Sequence, residues 1–213
     1  MNNKKIQLPD VTLIGIDCVN VDRLCRAAIQ SLKGIDFGEV KILSSLIDDF
    51  SNHNISFVNI PELKSRLEYT IFVMTELVKH VNTDYMLIFQ HDGYVLNPDA
   101  WDDEFFNYDY IGAKWFFHPE RKVGNGGFSL RSKRLMQRVS EIPYYECYDR
   151  KTGELAQEDA FICRVIGQQL EEEGFRFAPE EIADRFSIEN GIWTGEFGFH
   201  DPKITLIPER FLL

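Results

Sequence analysis

Residues 85–93 read YMLIFQHDG, and this stretch decides the fold. A run of five apolar or aromatic residues is typical of a strand that is buried on both faces of a parallel sheet. The run is followed by Gln90, His91, Asp92 and Gly93, so polar side chains stand at the carboxyl end of the strand. Ligands of open α/β sheets bind beyond those strand ends, and we therefore expect a binding site here.

The segments around this strand alternate between strand and helix patterns. Other apolar runs that predict strands lie at 11–19, 40–46 and 55–60, with shorter ones near 110–115, 128–130, 175–178 and 184–188. Apolar residues at helical spacing predict helices at 20–34, 61–81, 132–141 and 158–173. Strands that alternate with helices indicate an α/β domain, with a mixed, mainly parallel central sheet and helices on both faces.

Composition and charge exclude some classes of function. The 213 residues carry a net charge of −11, which argues against a nucleic-acid partner because backbone phosphates need clustered lysines and arginines. No apolar run reaches transmembrane length, and the two N-terminal lysines precede no apolar stretch of a signal peptide. The four cysteines form no CxxC pair, so we expect reduced thiols and a cytoplasmic protein.

Residues 123–130, VGNGGFSL, form a glycine-rich segment with Gly124, Gly126 and Gly127. Glycines let the backbone approach a ligand closely, and exposed amides can hold an anion; the alternative is a bulge or tight turn before a strand. Basic residues surround this segment. Those that we keep as phosphate or acceptor contacts are Lys114, Arg121 and Arg131, whereas Lys133, Arg134 and Arg138 fit the exposed face of a helix.

Two further segments carry candidate chemistry. Glu158 and Asp159 open a helix, where acids are favoured by the helix dipole, but a carboxylate there can also act as a general base. At most one of these adjacent side chains faces the chemistry. His200, in the string FGFH, is either structural or a ligand for a Mn²⁺-class metal together with a carboxylate. Glycines around Trp193 indicate a mobile segment that closes over a ligand.

A tyrosine-rich stretch precedes the candidate base. Its tyrosines are Tyr144, Tyr145 and Tyr148. They form either an acceptor-facing wall or a set of aromatic anchors that fix a long loop to the core.

The order of these features along the chain resembles that of GT-A glycosyltransferases, over roughly residues 85–200. The strings FQHD, YDYIGAKW, VGNGGFSLRS, EDAF and FGFH are similar to those of a GT-A-related family of uncharacterised bacterial and fungal domains. The resemblance implies a single Rossmann-like GT-A domain over residues 1–213. Residues 1–92 would be its nucleotide-binding half and residues 93–213 its acceptor and catalytic half.

The resemblance also implies roles for individual residues. Asp92 would be the last residue of the DxD motif and bind Mn²⁺ or Mg²⁺, and His200 would complete the metal and diphosphate site. Asp159 would be the catalytic base, with Glu158 beside it. The donor-binding set would be Asp17 at the nucleoside, Gln90, Asp92, Gly124, Gly126, Gly127 and Trp193. Gln90 stands where the motif has its first carboxylate, and an amide is a weaker ligand for a hard cation.

The sequence therefore predicts a metal-assisted, inverting transfer of a sugar from a UDP- or GDP-linked donor to a hydroxyl of a glycan or another acceptor. Two alternatives stay open. The chain could be a non-catalytic GT-A-like module that binds a nucleotide or a glycan, with Gln90 as a sign of lost chemistry. It could also be a metal-dependent phosphoesterase, which needs similar ligands, although no two-metal spacing favours that.

Overall fold

The computed structural model describes residues 5–46, 54–116, 121–143, 155–201, 203 and 205–209. Six strands form one central sheet in the order β3-β2-β1-β4-β6-β5. Their bounds are Ile6–Ile16 (β1), Ile35–Ser44 (β2), Ser56–Asn59 (β3), Tyr85–Phe89 (β4), Tyr110–Gly112 (β5) and Ser129–Ser132 (β6). The first four are parallel to one another, and β6 is antiparallel to both β4 and β5. The predicted α/β class with a mainly parallel sheet is confirmed.

Four two-residue strands follow in the last part of the described chain. They are Ser187–Ile188 (β7), Gly191–Ile192 (β8), Gly198–Phe199 (β9) and Thr205–Leu206 (β10). β7 pairs with β9, and β8 pairs with β10, in two small parallel sheets. The strand expected at 184–188 begins only at Ser187 because a helix continues through Phe186. The strand expected at 175–178 is reduced to one bridge between Tyr110 and Phe177.

Among the described residues, six α-helices pack around the central sheet. Their bounds are Val21–Ser31 (α1), Arg66–Thr75 (α2), Lys133–Ser140 (α3), Glu158–Ala160 (α4), Gly167–Glu172 (α5) and Glu180–Phe186 (α6). The helix expected at 61–81 was placed too early, because the Ser65 side chain accepts a hydrogen bond from the Glu68 N–H at 3.2 Å and caps α2 there. α2 ends at Thr75, and a separate 3₁₀ turn covers Leu77–His80.

The helix expected at 158–173 is not continuous. A π turn at Phe161–Val165 separates α4 from α5, and the Ile166 N–H donates to the Phe161 carbonyl at 3.0 Å across this wide turn. Such turns are found mostly as short interruptions of α-helices, often beside functional sites. The interruption leaves α4 as a short element that carries Glu158 and Asp159 at its start.

The core lies on both faces of the sheet. Leu13 of β1 and Leu87 of β4 pack in one apolar cluster with α1, whereas their chain neighbours Ile14 and Ile88 pack in a second cluster with Phe72 of α2. This alternation follows from the two-residue period of a strand and accounts for the unbroken apolar runs in β1 and β4. Within the residues described above, no helix has the length and apolarity needed to cross a lipid bilayer.

Candidate active site

One cleft of about 780 Å³ opens where β1 and β4 end. β1 ends at Ile16 and β4 at Phe89, so the polar residues that follow each strand reach the same edge of the sheet. Eight of the predicted site residues line this cleft: Asp17, Gln90, Asp92, Gly126, Gly127, Glu158, Asp159 and His200. Segments that are far apart in sequence therefore meet around a single hollow.

Asp92 sits in a tight turn directly after β4. The backbones of Gln90 and Gly93 are hydrogen-bonded to each other in both directions, at 3.0 and 3.2 Å, so His91 and Asp92 occupy the tip of the turn. The Asp92 Oδ1 atom is buried and has no hydrogen-bond partner within the described ranges, and it lies 3.8 Å from His200 Nε2. A buried carboxylate oxygen without a partner is costly, so this atom is suited to a ligand.

His200 is held from both its backbone and its ring. Its N–H donates to the Ile188 carbonyl at 2.9 Å, and the next N–H, of Asp201, donates to the Asp92 carbonyl at 3.0 Å. The ring Nδ1 atom lies 3.0 Å from Glu189 Oε1 and 3.0 Å from Asn125 Nδ2. Because a carboxylate only accepts hydrogen bonds, the contact with Glu189 favours the proton on Nδ1. In the neutral ring, Nε2 therefore presents its lone pair towards Gln90 Oε1 at 3.3 Å and towards Asp92. A carboxylate behind a histidine is the usual support for a metal ligand.

Charge also acts on His200. Burial lowers its pKa, but the hydrogen bond that the ring donates to Glu189 and the negative charges of Asp92 and Glu189 outweigh burial, and the pKa lies above the ordinary histidine value. The surroundings of this ring thus favour positive charge, whether a proton or a bound cation supplies it.

The residues present fit a divalent cation that takes part of its coordination from a substrate. Asp92 Oδ1, His200 Nε2 and Gln90 Oε1 converge, and only Asp92 among them is a carboxylate. The described portion of the chain contains no group of three or more acidic, histidine or cysteine side chains that could hold a metal by itself. Cations that work with nucleotides commonly use one or two carboxylates and complete their shell with phosphate oxygens and water.

The glycine-rich loop, residues 124–127, approaches its neighbours too closely for any side chain. A Cβ atom on Gly127 would lie 2.1 Å from His200 Nε2, and one on Gly126 would lie 2.2 Å from Glu158 Oε1. Neither glycine has a positive φ angle, so close approach and not backbone conformation explains the residue type. The loop thereby fills the space between the histidine and the two acidic residues.

Asp159 and Glu158 have different surroundings although they are adjacent. The Asp159 Oδ2 atom accepts a hydrogen bond from the Gly126 N–H at 2.8 Å, and Oδ1 accepts one from the Ala160 N–H at 2.7 Å. Glu158 is buried and forms an ion pair with Arg131, whose guanidinium is completely buried, at 2.9 Å. Glu158 thus belongs to the floor of the cleft, and Asp159 is the more exposed of the two carboxylates.

Burial, followed by the negative charge of Glu158, raises the pKa of Asp159 to about 6, although the hydrogen bonds from Ala160 and Gly126 and the charge of Arg131 act in the opposite direction. A carboxylate with such a pKa is ionised at neutral pH and is a stronger base than an ordinary aspartate. It is therefore suited to accept a proton from a hydroxyl group.

Asp17 follows β1 and organises the next turn. Its Oδ1 atom accepts hydrogen bonds from the Val19 and Asn20 N–H groups at 2.6 and 2.7 Å, and Oδ2 lies 3.6 Å from His91 Nδ1. Burial raises the pKa of Asp17, but the hydrogen bonds from His91, Asn20 and Val19 more than offset this and keep it below the usual aspartate value. Asp17 is thus ionised at the rim of the cleft.

Several lining residues were not singled out in the sequence. Lys64 and Arg66 flank the start of α2 at the cleft, Phe116 is exposed at its rim, and Asn125 and Glu189 both contact the His200 ring. A lysine and an arginine next to an N-cap serine carry a usable signal, since positive charge at a strand-to-helix connection fits an anionic ligand. The roles of Asn125 and Glu189 depend on folding and have no local signal.

The basic residues kept as phosphate or acceptor contacts lie elsewhere. Lys114 pairs with Asp184 at 2.7 Å, and Arg121 pairs with Glu171 at 2.5 Å. Arg131 lies under the cleft with Glu158. Each of these three side chains is occupied by an acidic partner of the protein itself.

Two members of the predicted donor set do not line the cleft. Gly124 packs on the Trp115 ring, where an added Cβ would approach a ring carbon to 2.1 Å. Trp193 packs against the apolar core, and its Nε1 atom donates to the Glu196 carbonyl at 3.0 Å. The three tyrosines considered for an acceptor wall, Tyr144, Tyr145 and Tyr148, lie outside the described residues.

Comparison with known sequences gives a family but no function. A family model described as "Protein of unknown function (DUF5672)" matches residues 52–200. Comparison with curated protein sequences gives no match.

The fold resembles that of solved structures, among them the following two. A glycosyltransferase involved in the glycosylation of the major capsid of PBCV-1 has a TM-score of 0.54 at 10% identity, over 89% of this chain and 91% of that one. The mannosyltransferase PcManGT from Pyrobaculum calidifontis, solved with GDP-Man and Mn²⁺, has a TM-score of 0.51 at 12% identity. The match covers 85% of this chain and only 59% of the mannosyltransferase. These similarities show a glycosyltransferase-like fold.

Proposed function

This chain belongs to the DUF5672 family, and we propose that it transfers a sugar from a nucleotide-sugar donor to an acceptor hydroxyl, with a divalent cation at Asp92 and His200. The observation that carries the proposal is the convergence of Asp92, His200 and Asp159 on one cleft at the carboxyl edge of the parallel strands. The glycosyltransferase-like fold supports the same function.

The donor half of the cleft is the set of residues that follow β1 and β4 or lie at the start of α2. Asp17 stands at its rim for the nucleoside. Arg66 and Lys64 supply positive charge for the diphosphate, since the contact of Lys64 with Glu62 is exposed and 3.5 Å long and a phosphate can replace it. Asp92 and His200 would hold a Mn²⁺ or Mg²⁺ ion. When bound, that ion would offset the negative charge that develops on the leaving diphosphate.

The reaction that fits these groups is a single displacement with inversion. Asp159 removes the proton of the acceptor hydroxyl, whose oxygen forms a bond to the anomeric carbon of the donor. The bond from that carbon to the diphosphate oxygen breaks, and the nucleoside diphosphate leaves. Gly126 orients Asp159 for this step, because its N–H holds the Oδ2 atom at 2.8 Å.

A thermal-shift panel tests the donor site. Purified protein is heated with UDP, GDP or CMP and their sugars, with and without Mn²⁺. We expect one nucleotide class to raise the melting temperature more with Mn²⁺ than without it, because a ligand that binds only the folded state stabilises it. The increment from Mn²⁺ should disappear in Asp92→Ala and His200→Ala and persist in Asp159→Asn. If Mn²⁺ adds the same increment in all three variants, the metal assignment is wrong.

A second candidate function is a non-catalytic module that binds a nucleotide or glycan. Gln90 favours it, because an amide stands beside His200 at 3.3 Å where a second carboxylate would strengthen metal binding. Slow, Mn²⁺-dependent hydrolysis of a nucleotide sugar by the purified protein would argue against the module. Cleavage of simple phosphate esters without any nucleoside preference would instead indicate a phosphoesterase.

A further inference from the structure

Phe116 is an exposed aromatic side chain at the rim of the cleft. It exposes 64% of its surface and lines the same hollow as Asp159. Single exposed apolar residues are common on protein surfaces, so exposure alone says little. Phe116 differs from Ile192 and Leu206, which are equally exposed, because its ring lines the cleft that holds the candidate base.

The backbone that carries Phe116 is fixed. The preceding residue, Trp115, is only 6% exposed, and its N–H donates to the Lys122 carbonyl at 2.7 Å. The Trp115 ring packs on Gly124, which leaves no room for a Cβ atom. Phe116 therefore follows directly after a residue that is held by its backbone and its ring.

The cleft that holds Asp159 also has an aromatic and an amide in its lining. Phe116 and the exposed amide residue Gln157 line it together with the carboxylate of Asp159. An aromatic face, an amide and a carboxylate together match a sugar ring, which presents C–H groups on one face and hydroxyls at its edges.

The basic residues near Phe116 are already paired with acidic partners. Lys114 pairs with Asp184 at 2.7 Å, and Lys122 pairs with Glu180 at 3.0 Å. The cleft cations Lys64 and Arg66 are the ones that the proposed function assigns to the diphosphate of the donor. An acidic group on an acceptor beside Asp159 would therefore meet a carboxylate without a compensating cation.

We propose that the acceptor is a neutral carbohydrate whose apolar ring face stacks on Phe116 while one of its hydroxyls reaches Asp159. This inference rests on the proposed function, since it assigns the acceptor for the same cleft. It separates the two substrates by charge: the donor brings its diphosphate to Lys64 and Arg66, and the acceptor is uncharged.

Saturation-transfer NMR on the full chain tests the acceptor class. The probes are the methyl β-glycosides of glucose and galactose, methyl α-mannoside, and methyl β-glucuronide, each in the presence of the nucleotide that the thermal-shift panel selects. The glucoside and the glucuronide form a matched pair that differs only at C6. We expect saturation of ring C–H protons in at least one neutral glycoside and none in the glucuronide.

Variants at Phe116 locate the binding. Phe116→Ala should weaken binding of the neutral glycoside by about three- to tenfold, the size expected for one lost aromatic contact, and Phe116→Trp should retain it. Ile192→Ala is the matched control, because Ile192 is equally exposed at 66% but does not line the cleft. The nucleotide-induced melting shift should be unchanged in all three variants.

The outcomes distinguish a failure of the acceptor assignment from a failure of the proposed function. If the glucuronide binds as well as the glucoside, if no glycoside shows saturation transfer, or if Phe116→Ala binds normally, the acceptor assignment is overturned. The donor function is then still supported by an intact nucleotide shift with Mn²⁺. If that shift is missing as well, the proposed function fails too.

Discussion

The Asp159 carboxylate accepts a hydrogen bond from the Gly126 N–H at 2.8 Å, which ties the start of α4 to the glycine loop. The tie is part of a closed ring. Ser129 Oγ donates to the Gly126 carbonyl at 3.2 Å, Arg131 Nε donates to Ser129 Oγ at 3.0 Å, and Arg131 Nη2 donates to Glu158, the residue before Asp159, at 2.9 Å. The candidate base is thus positioned by a network that lies under the cleft.

The pKa of Asp159 predicts the acid limb of a pH profile. A base must be ionised to accept a proton, so transfer should fall as the pH drops through about 6, where Asp159 becomes protonated, and should level off above it. Asp159→Asn should lower the rate by about 10²–10⁴-fold and remove this limb. The measurement is nucleotide release from the donor that binds in the thermal-shift panel, with and without acceptor.

Two results would contradict this assignment. A variant that transfers at the wild-type rate would show that another group accepts the proton. A wild-type profile without a limb near pH 6 would show that Asp159 does not titrate in the rate-determining step.

The buried ion pair of Arg131 and Glu158 predicts an unequal effect of single and double substitutions. Glu158→Gln leaves a fully buried guanidinium without its counter-charge and should lower the free energy of unfolding by about 3–5 kcal/mol. Arg131→Met combined with Glu158→Leu removes both charges and should cost clearly less than Glu158→Gln. Urea denaturation measures both.

A surface pair serves as the control for this comparison. Arg138 and Glu173 are 2.7 Å apart but partly exposed, so Arg138→Ala should cost less than about 1 kcal/mol. Equal losses for Glu158→Gln and Arg138→Ala would mean that the buried pair does not support the floor of the cleft.

Gly126 and Gly127 are adjacent, but an added methyl group should cause a different defect at each position. Gly127→Ala places a Cβ atom 2.1 Å from His200 Nε2, so it should displace the ring and abolish the Mn²⁺ increment in nucleotide binding. Gly126→Ala places one 2.2 Å from Glu158 Oε1, so its main effect should be a lower melting temperature. Each variant is the control for the other, and identical effects would refute the division of the loop.

Gln90 predicts a gain of metal affinity on substitution. Its Oε1 atom lies 3.3 Å from His200 Nε2, so Gln90→Asp adds a second carboxylate to the site of Asp92 and His200. We expect tighter Mn²⁺ binding in the presence of the nucleotide, measured by calorimetry, because carboxylates are the preferred ligands of hard cations. Gln90→Asn, which shortens the side chain without adding charge, is the control. No gain for Gln90→Asp would argue that a cation does not bind at this position.

The sequence predicts most of the fold because its strands carry strong local signals. β4 spans Tyr85–Phe89, the apolar run that the sequence shows, and the glycines between 124 and 127 mark a close approach that the structure displays. Element ends were less predictable. The helix predicted at 61–81 would begin at Pro61, whereas the Ser65 side chain provides the cap and the helix begins after it.

The pattern of strands alone predicted the site where a strand end fixes the position of a side chain, whereas the joint roles of Asp159 and His200 came from the family resemblance. Asp17 and Asp92 follow β1 and β4, so their place at one edge of the sheet follows from parallel pairing. Arg131 gave no such signal, because a basic residue near a glycine loop fits a phosphate contact as well as a buried ion pair. The structure decides between these two roles. The Arg131 guanidinium lies 4.9 Å from the centre of the Tyr110 ring and is paired with Glu158, so Arg131 belongs to a buried ion pair.

The hydrogen bond from the Asp201 backbone N–H to the Asp92 carbonyl, at 3.0 Å, joins segments that are synthesised at very different times. Asp92 leaves the ribosome long before His200, so a nascent chain with a finished β4 still presents an aspartate without its histidine. The proposed cation and nucleotide site would therefore be complete only after translation has passed this late segment. Once bound, the same ligands would act as a latch that keeps early and late parts of the polypeptide from separating.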